Sequence, residues 1–225
     1  MDVSPVYTAS RSQLCELALT LSADQAAASL VATPPWSVLD GYRHLTGVCS
    51  DFLTGTLDGA GSPEWTRVQV ASRQSLSLAD VRAEWELKSP QLEAKMANAG
   101  PAMAFLAFDV WTHEQDIRAA TGGRGIRGDG RDAALAELAL ELFGDRYAES
   151  GAPALLILVD GEQHVLGGIG ADPEVTLGTS PYELLRIIFG RRSAAQIAKA
   201  NWTGDVSAAV AALHIFDLPN TDIAD

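Results

Sequence analysis

The stretch AMAFLAFDVWTHEQDIRAA, residues 102–120, constrains this chain more than any other. It opens after Gly100-Pro101, with proline in the tolerated first-turn position, and stops at Thr121-Gly122-Gly123, so it predicts one apolar helix. Asp109 sits in the middle of that run, with His113 four residues later. A carboxylate taken out of water without a partner costs several kcal/mol. The fold must therefore bring a proton, a cation or a metal to Asp109.

The surroundings of this helix follow from periodicity. Up to about residue 150, apolar residues recur at helical spacing between Pro and Gly breaks, which predicts a helical bundle over residues 1–150. Helices are expected over about 9–21, from Ser37 to about 57, over 66–73 and 78–98, and, as a last bundle helix, over about 132–148. Ser37 is a good N-cap, and Asp40 completes a capping box. After ESGAP the texture changes. ALLILVDG, EQHVLGG and PEVTLG read as strands, and SPYELLRIIFGRR, SAAQIAKA and DVSAAVAALHIF as helices, so residues 151–225 are expected to form a small C-terminal α+β domain. The fold class is mainly α. The tail DLPNTDIAD is expected to be loosely held.

Charge narrows the partners. With 16 Lys and Arg against 29 Asp and Glu, the formal charge is -13, which repels a nucleic-acid backbone or an anionic membrane surface, and neither is expected as a partner. No basic-then-apolar leader and no run of about 18 apolar residues occurs, so a cytoplasmic protein is expected. Cys15 and Cys49 lack metal-type spacing and read as reduced thiols. GRGIRG, residues 123–128, matches G-x-G-x-x-G but follows a helix, so it reads as a loop and not as a dinucleotide site.

Asp109, His113 and Asp116 lie four and seven residues along one helix and share a face; Asp40 and His44 repeat the four-residue spacing on another. Bundles hold metals with carboxylates and imidazoles on facing helices. Two histidines and one carboxylate also leave a coordination position open for chemistry. The same spacing serves a hydrogen-bonded core pair, with Asp40 as a cap or as an orienter of His44, and spacing alone leaves both readings open.

PPWSVLDGYRHLTGV resembles the tryptophan, aspartate and histidine signature of the DinB/YfiT-like superfamily. FDVWTHEQDIRAA resembles the acid-x-x-x-His-x-x-Asp segment of its mycothiol-dependent maleylpyruvate isomerase branch. PEWTRVQVASRQSLSLADVRAEW is similar to the central helices of that branch, and TSPYELLRIIFGRR with WTGD to its C-terminal domain. The resemblance implies a DinB-like four-helix bundle with a small C-terminal α+β domain, a divalent metal (zinc) held by His44, Asp109 and His113, and mycothiol as cosubstrate. At Asp109 the family pattern has Glu. Aspartate reaches about one methylene less, so the metal would sit nearer that helix or be held more weakly.

The implied chemistry is thiol activation. A free thiol titrates near about 8.5, and a divalent cation deprotonates a coordinated one. A thiolate that adds to an electron-poor double bond and leaves again isomerises it; one that stays gives an S-conjugate. An acidic small-molecule substrate would need arginine, whose planar fork matches a carboxylate. Arg73 and Arg82, on the central helices, are the expected catalytic candidates, with Arg43 and the cluster Arg186, Arg191 and Arg192 behind them. Two alternatives stay open: a metal-dependent hydrolase using activated water, and a non-catalytic DinB-like binding or stress-response module.

Overall fold

The structure, a computed structural model, describes residues 2–167, 170 and 172–225. It is a mainly helical chain with a helical bundle and a small α+β part, as the sequence predicts. Two compact units divide it between Gly125 and Ile126.

The first unit contains α1 (Ser4–Ala18), α2 (Ala23–Ala27), α3 (Val38–Thr54), α4 (Pro63–Ser72), α5 (Leu78–Ala99) and, after a 3-10 turn at Gly100–Met103, α6 (Ala104–Ala120). α1, α3, α5 and α6 pack on one another as the four long helices of a bundle, and α4 lies against α3. Trp85, Trp111, Tyr42 and Leu92 are buried at its centre. The indole Nε1 of Trp85 donates to Tyr7 Oη at 3.0 Å, and Tyr42 Oη donates to the Leu14 carbonyl at 2.8 Å, which satisfies these two polar tips in the core. α1 begins earlier than expected because Pro5 occupies its first turn, where a missing N–H costs nothing.

Capping fixes the ends of the helices that carry the site. At α3, Ser37 Oγ accepts from the Asp40 N–H at 3.1 Å and Asp40 Oδ2 accepts from the Ser37 N–H at 3.0 Å, while Gly55 closes the helix at φ 77°. At α6 the Gly123 N–H reaches back to the Arg118 carbonyl at 2.8 Å, with Gly122 at φ 85°.

The second unit contains α7 (Arg131–Glu149), β1 (Leu155–Val159), β2 (Glu162–Leu166), β3 (Val175–Thr179), α8 (Pro181–Ile188), α9 (Ala194–Ala198), β4 (Asn201–Thr203) and α10 (Ser207–Leu213). The sheet order is β2-β1-β3-β4, with β1 and β3 parallel and both outer pairs antiparallel. The division falls before α7 and not near residue 150. The four long helices already complete the bundle, and α7 spends its apolar face on α8 and β2, with Gly144 facing Leu166. The tail is held rather than loose: the Gln196 amide clamps Ile223 at both its backbone N–H (3.1 Å) and its carbonyl (2.8 Å). Among the described residues, no helix is long and apolar enough to cross a membrane.

Candidate metal centre

α3 and α6 face each other in the bundle, and that contact brings His44 beside Asp109 and His113. His44 Nε2 lies 3.4 Å from Asp109 Oδ1, His113 Nε2 lies 3.6 Å from the same oxygen, and one ligand atom from each of the three residues falls within 4.8 Å of the others. Around a tetrahedral zinc with bonds of about 2.0–2.2 Å, neighbouring ligand atoms stand roughly 3.3–3.6 Å apart. Both edges shared by Asp109 match that span, while the set as a whole extends to 4.8 Å and would have to draw in around an ion. The donor set, two imidazoles and a carboxylate, also fits a divalent cation chemically.

The three side chains differ in access. His44 and His113 are buried, but the Asp109 side chain keeps 29% of its surface exposed. The apolar run thus encloses its carboxylate less than the sequence suggests, and the cluster opens to solvent on the side of the acid, where a fourth ligand would enter. Trp36 closes another side: its ring stands 4.9 Å from the His44 ring and 5.9 Å from that of His113. Asp116, on the same stripe of α6, places Oδ2 3.7 Å from His113 Nδ1, which is ion-pair rather than hydrogen-bond range.

His44 is held by partners that the sequence does not announce. Its Nδ1 lies 2.8 Å from Gln69 Oε1, and Gln69 Nε2 donates to Asp51 Oδ2 at 2.8 Å. Asp40 caps α3 and takes a hydrogen bond from Arg43 at 2.8 Å; the orienter of His44 is Gln69. Gln69 belongs to α4, with no charge or motif to mark it. The one usable signal was Gly47 on the inner face of α3, a position open enough for a neighbouring helix to come close.

The arginines expected to meet substrate have other occupations. Arg73, buried at the C-terminal end of α4, forks onto Glu84 at 2.7 and 3.1 Å and donates to the Gln69 carbonyl at 3.3 Å. Arg82 pairs with Glu86 along α5 at 2.6 Å. Arg43 ties α3 to the turn after α4 through the Gln74 and Leu76 carbonyls. Arg186, Arg191 and Arg192 are buried in the second unit, where Arg192 forks onto Glu183. His164 lies on β2 and His214 follows α10, both outside the cluster.

The protein's own thiols are poor nucleophiles. Burial pushes the Cys15 thiol up to about 11, against a smaller opposing pull from Arg11, and burial pushes Cys49 up to about 11 as well. Both therefore stay protonated at neutral pH. A thiol-specific reagent at about pH 8 is expected to leave both unmodified in the folded protein and to label both after denaturation; rapid labelling of either in the native state would refute this.

Neither protein-family models nor curated proteins give a match to this sequence. Solved structures do. A variant of the mycothiol-dependent maleylpyruvate isomerase with a histidine replaced by alanine superposes with a TM-score of 0.61 at 13% identity, over 92% of this chain and 94% of that one. The unsubstituted enzyme gives 0.56 at 12% identity over the same shares. The likeness is one of fold. It spans both the helical part and the α+β part, as the resemblance in the sequence implies.

Proposed function

We propose that this chain is a thiol-dependent metalloenzyme, an isomerase or thiol S-transferase, acting on a small electrophilic substrate of the maleylpyruvate kind with mycothiol as cosubstrate. The observation that carries the reading is the convergence of His44, Asp109 and His113, on a fold shared with an enzyme described as mycothiol-dependent. The three residues would hold a divalent cation, zinc by likeness to the family. Bound there, it would keep a coordinated thiol in its thiolate form at neutral pH.

The chain's own groups supply the rest. His44 and His113 bring buried imidazole nitrogens to the set. Asp109 supplies the one negative charge of the set and leaves its side open to solvent. Trp36 walls the histidines with an aromatic face that keeps water from that flank. Because Cys15 and Cys49 are buried and protonated, the nucleophilic sulfur has to come from outside the chain.

The test is turnover of an electron-poor cis-alkene diacid, maleylpyruvate first, by zinc-loaded protein with and without mycothiol. Turnover that requires the thiol is the expected result, and the product distinguishes rotation from conjugation. Thiol-independent hydrolysis of ester or amide substrates would replace this reading with a water-activating hydrolase. Stoichiometric metal without any turnover would favour a binding module.

A further inference from the structure

The stripe His44, Gly47, Asp51 runs along one face of α3, and Gln69 from α4 is fitted against all three. A Cβ at Gly47 would stand 2.5 Å from Gln69 Cβ and 2.7 Å from its Cγ, so the glycine is the notch that admits the glutamine stem. The amide then bridges its neighbours, with Oε1 2.8 Å from His44 Nδ1 and Nε2 2.8 Å from Asp51 Oδ2. Gln69 is 2% exposed, which leaves water little part in this exchange.

An amide has one accepting and one donating end, and its neighbours decide which way it faces. The carboxylate of Asp51 accepts only, so it takes the NH2 end and turns Oε1 toward His44. An oxygen accepts only, so Nδ1 must carry the proton. Asp109 Oδ1 also accepts and competes for the proton from the Nε2 side, but at 3.4 Å against 2.8 Å for Gln69 Oε1, so the nearer acceptor keeps the proton on Nδ1 and the Nε2 lone pair faces the cluster. We propose that Gln69, locked in orientation by Asp51, is a positioning residue that fixes His44 as an Nδ1–H tautomer with Nε2 as the ligand atom. The tautomer part stands by itself; its consequence for metal affinity rests on the function proposed above.

The experiment reads the two separately. Nitrogen NMR of the His44 ring in the metal-free full-length protein, at about pH 9 where imidazole is neutral, is expected to show a protonated Nδ1 and an unprotonated Nε2. Gln69→Met removes the acceptor and is expected to shift the ring toward the Nε2–H form. Zinc affinity, measured by chelator competition, should fall by about 10- to 100-fold, the usual cost of losing the partner that orients a ligand. The pair Gln69→Glu with Asp51→Asn keeps the acceptor at 69 facing His44 and reverses only the outer bond, with the new amide at 51 now donating to the new carboxylate at 69. It is expected to restore both readouts, which a variant that merely loosens packing would not do. A wild-type ring protonated on Nε2 overturns the proposal whatever the metal does. Zinc binding that Gln69→Met leaves unchanged overturns the positioning role of Gln69 toward the metal, whichever nitrogen carries the proton. An Nδ1–H ring that binds no zinc supports the relay and instead removes the metalloenzyme reading.

Discussion

His113→Ala is expected to remove the metal. Wild-type protein purified without chelator or metal-affinity steps should carry close to one equivalent of divalent cation by mass spectrometry, and the variant essentially none. The size of the loss follows from the cluster. On the proposed reading His113 supplies one of three ligand atoms, its Nε2 3.6 Å from the shared Asp109 oxygen, and its removal leaves a buried imidazole and one carboxylate. Loss of an outer partner of a ligand costs about 10- to 100-fold in affinity, and loss of a ligand itself should exceed that. Thiol-dependent turnover is expected to fall to background with the metal, while the helical circular dichroism persists, because α6 keeps its C-terminal closure at Gly123 and its other buried residues. A variant that binds metal as the wild type does would show that His113 is not a ligand. A wild type that takes up no zinc even on incubation would reduce Asp109 and His113 to a close carboxylate–imidazole pair without a metal role.

Which parts of this site could be read in the sequence depends on the range of the interaction. Asp109 and His113 share one helix, so four-residue spacing places them together before any tertiary contact exists. The Ser37–Asp40 capping box is equally local and appears as predicted. His44 comes from another helix, and only family likeness put it with the other two. Gln69 was out of reach: a glutamine on a short, largely exposed helix meets His44 only through the close approach permitted at Gly47. Arg73 was singled out for its chemistry, but its surroundings are set by Glu84, eleven residues on across a turn. For α7 the period was legible and the destination was not, because an apolar stripe states that it will be covered without stating by what. The fixed tail escaped prediction likewise, since the clamp on Ile223 depends on Gln196 standing at the start of α9.

Glu84→Gln is expected to lower the free energy of unfolding by about 2–3 kcal/mol at neutral pH. Removing one partner of a fully buried pair costs about 3–5 kcal/mol, and this value is discounted because 22% of the Glu84 side chain is exposed. Glu84 accepts from Arg73, at the end of α4, and from Lys88, which also donates to Ser50 on α3 at 2.9 Å, so one carboxylate ties three helices. Burial raises the Glu84 carboxyl, but the hydrogen bonds and charges of Arg73 and Lys88 outweigh it and hold the group below its ordinary value. A depressed acid contributes stability above its unfolded pKa and loses it as pH falls through the folded value. The gap between wild type and variant should therefore be full at neutral pH and shrink below about pH 4.5. Chemical denaturation across that range checks it. Hydrogen exchange should quicken first in α4, the helix that presents Gln69 to His44, which would couple this surface-edge acid to the site by way of packing. If stability were unchanged and only KM rose, the fork with Glu84 would instead be what aims Arg73 at the substrate.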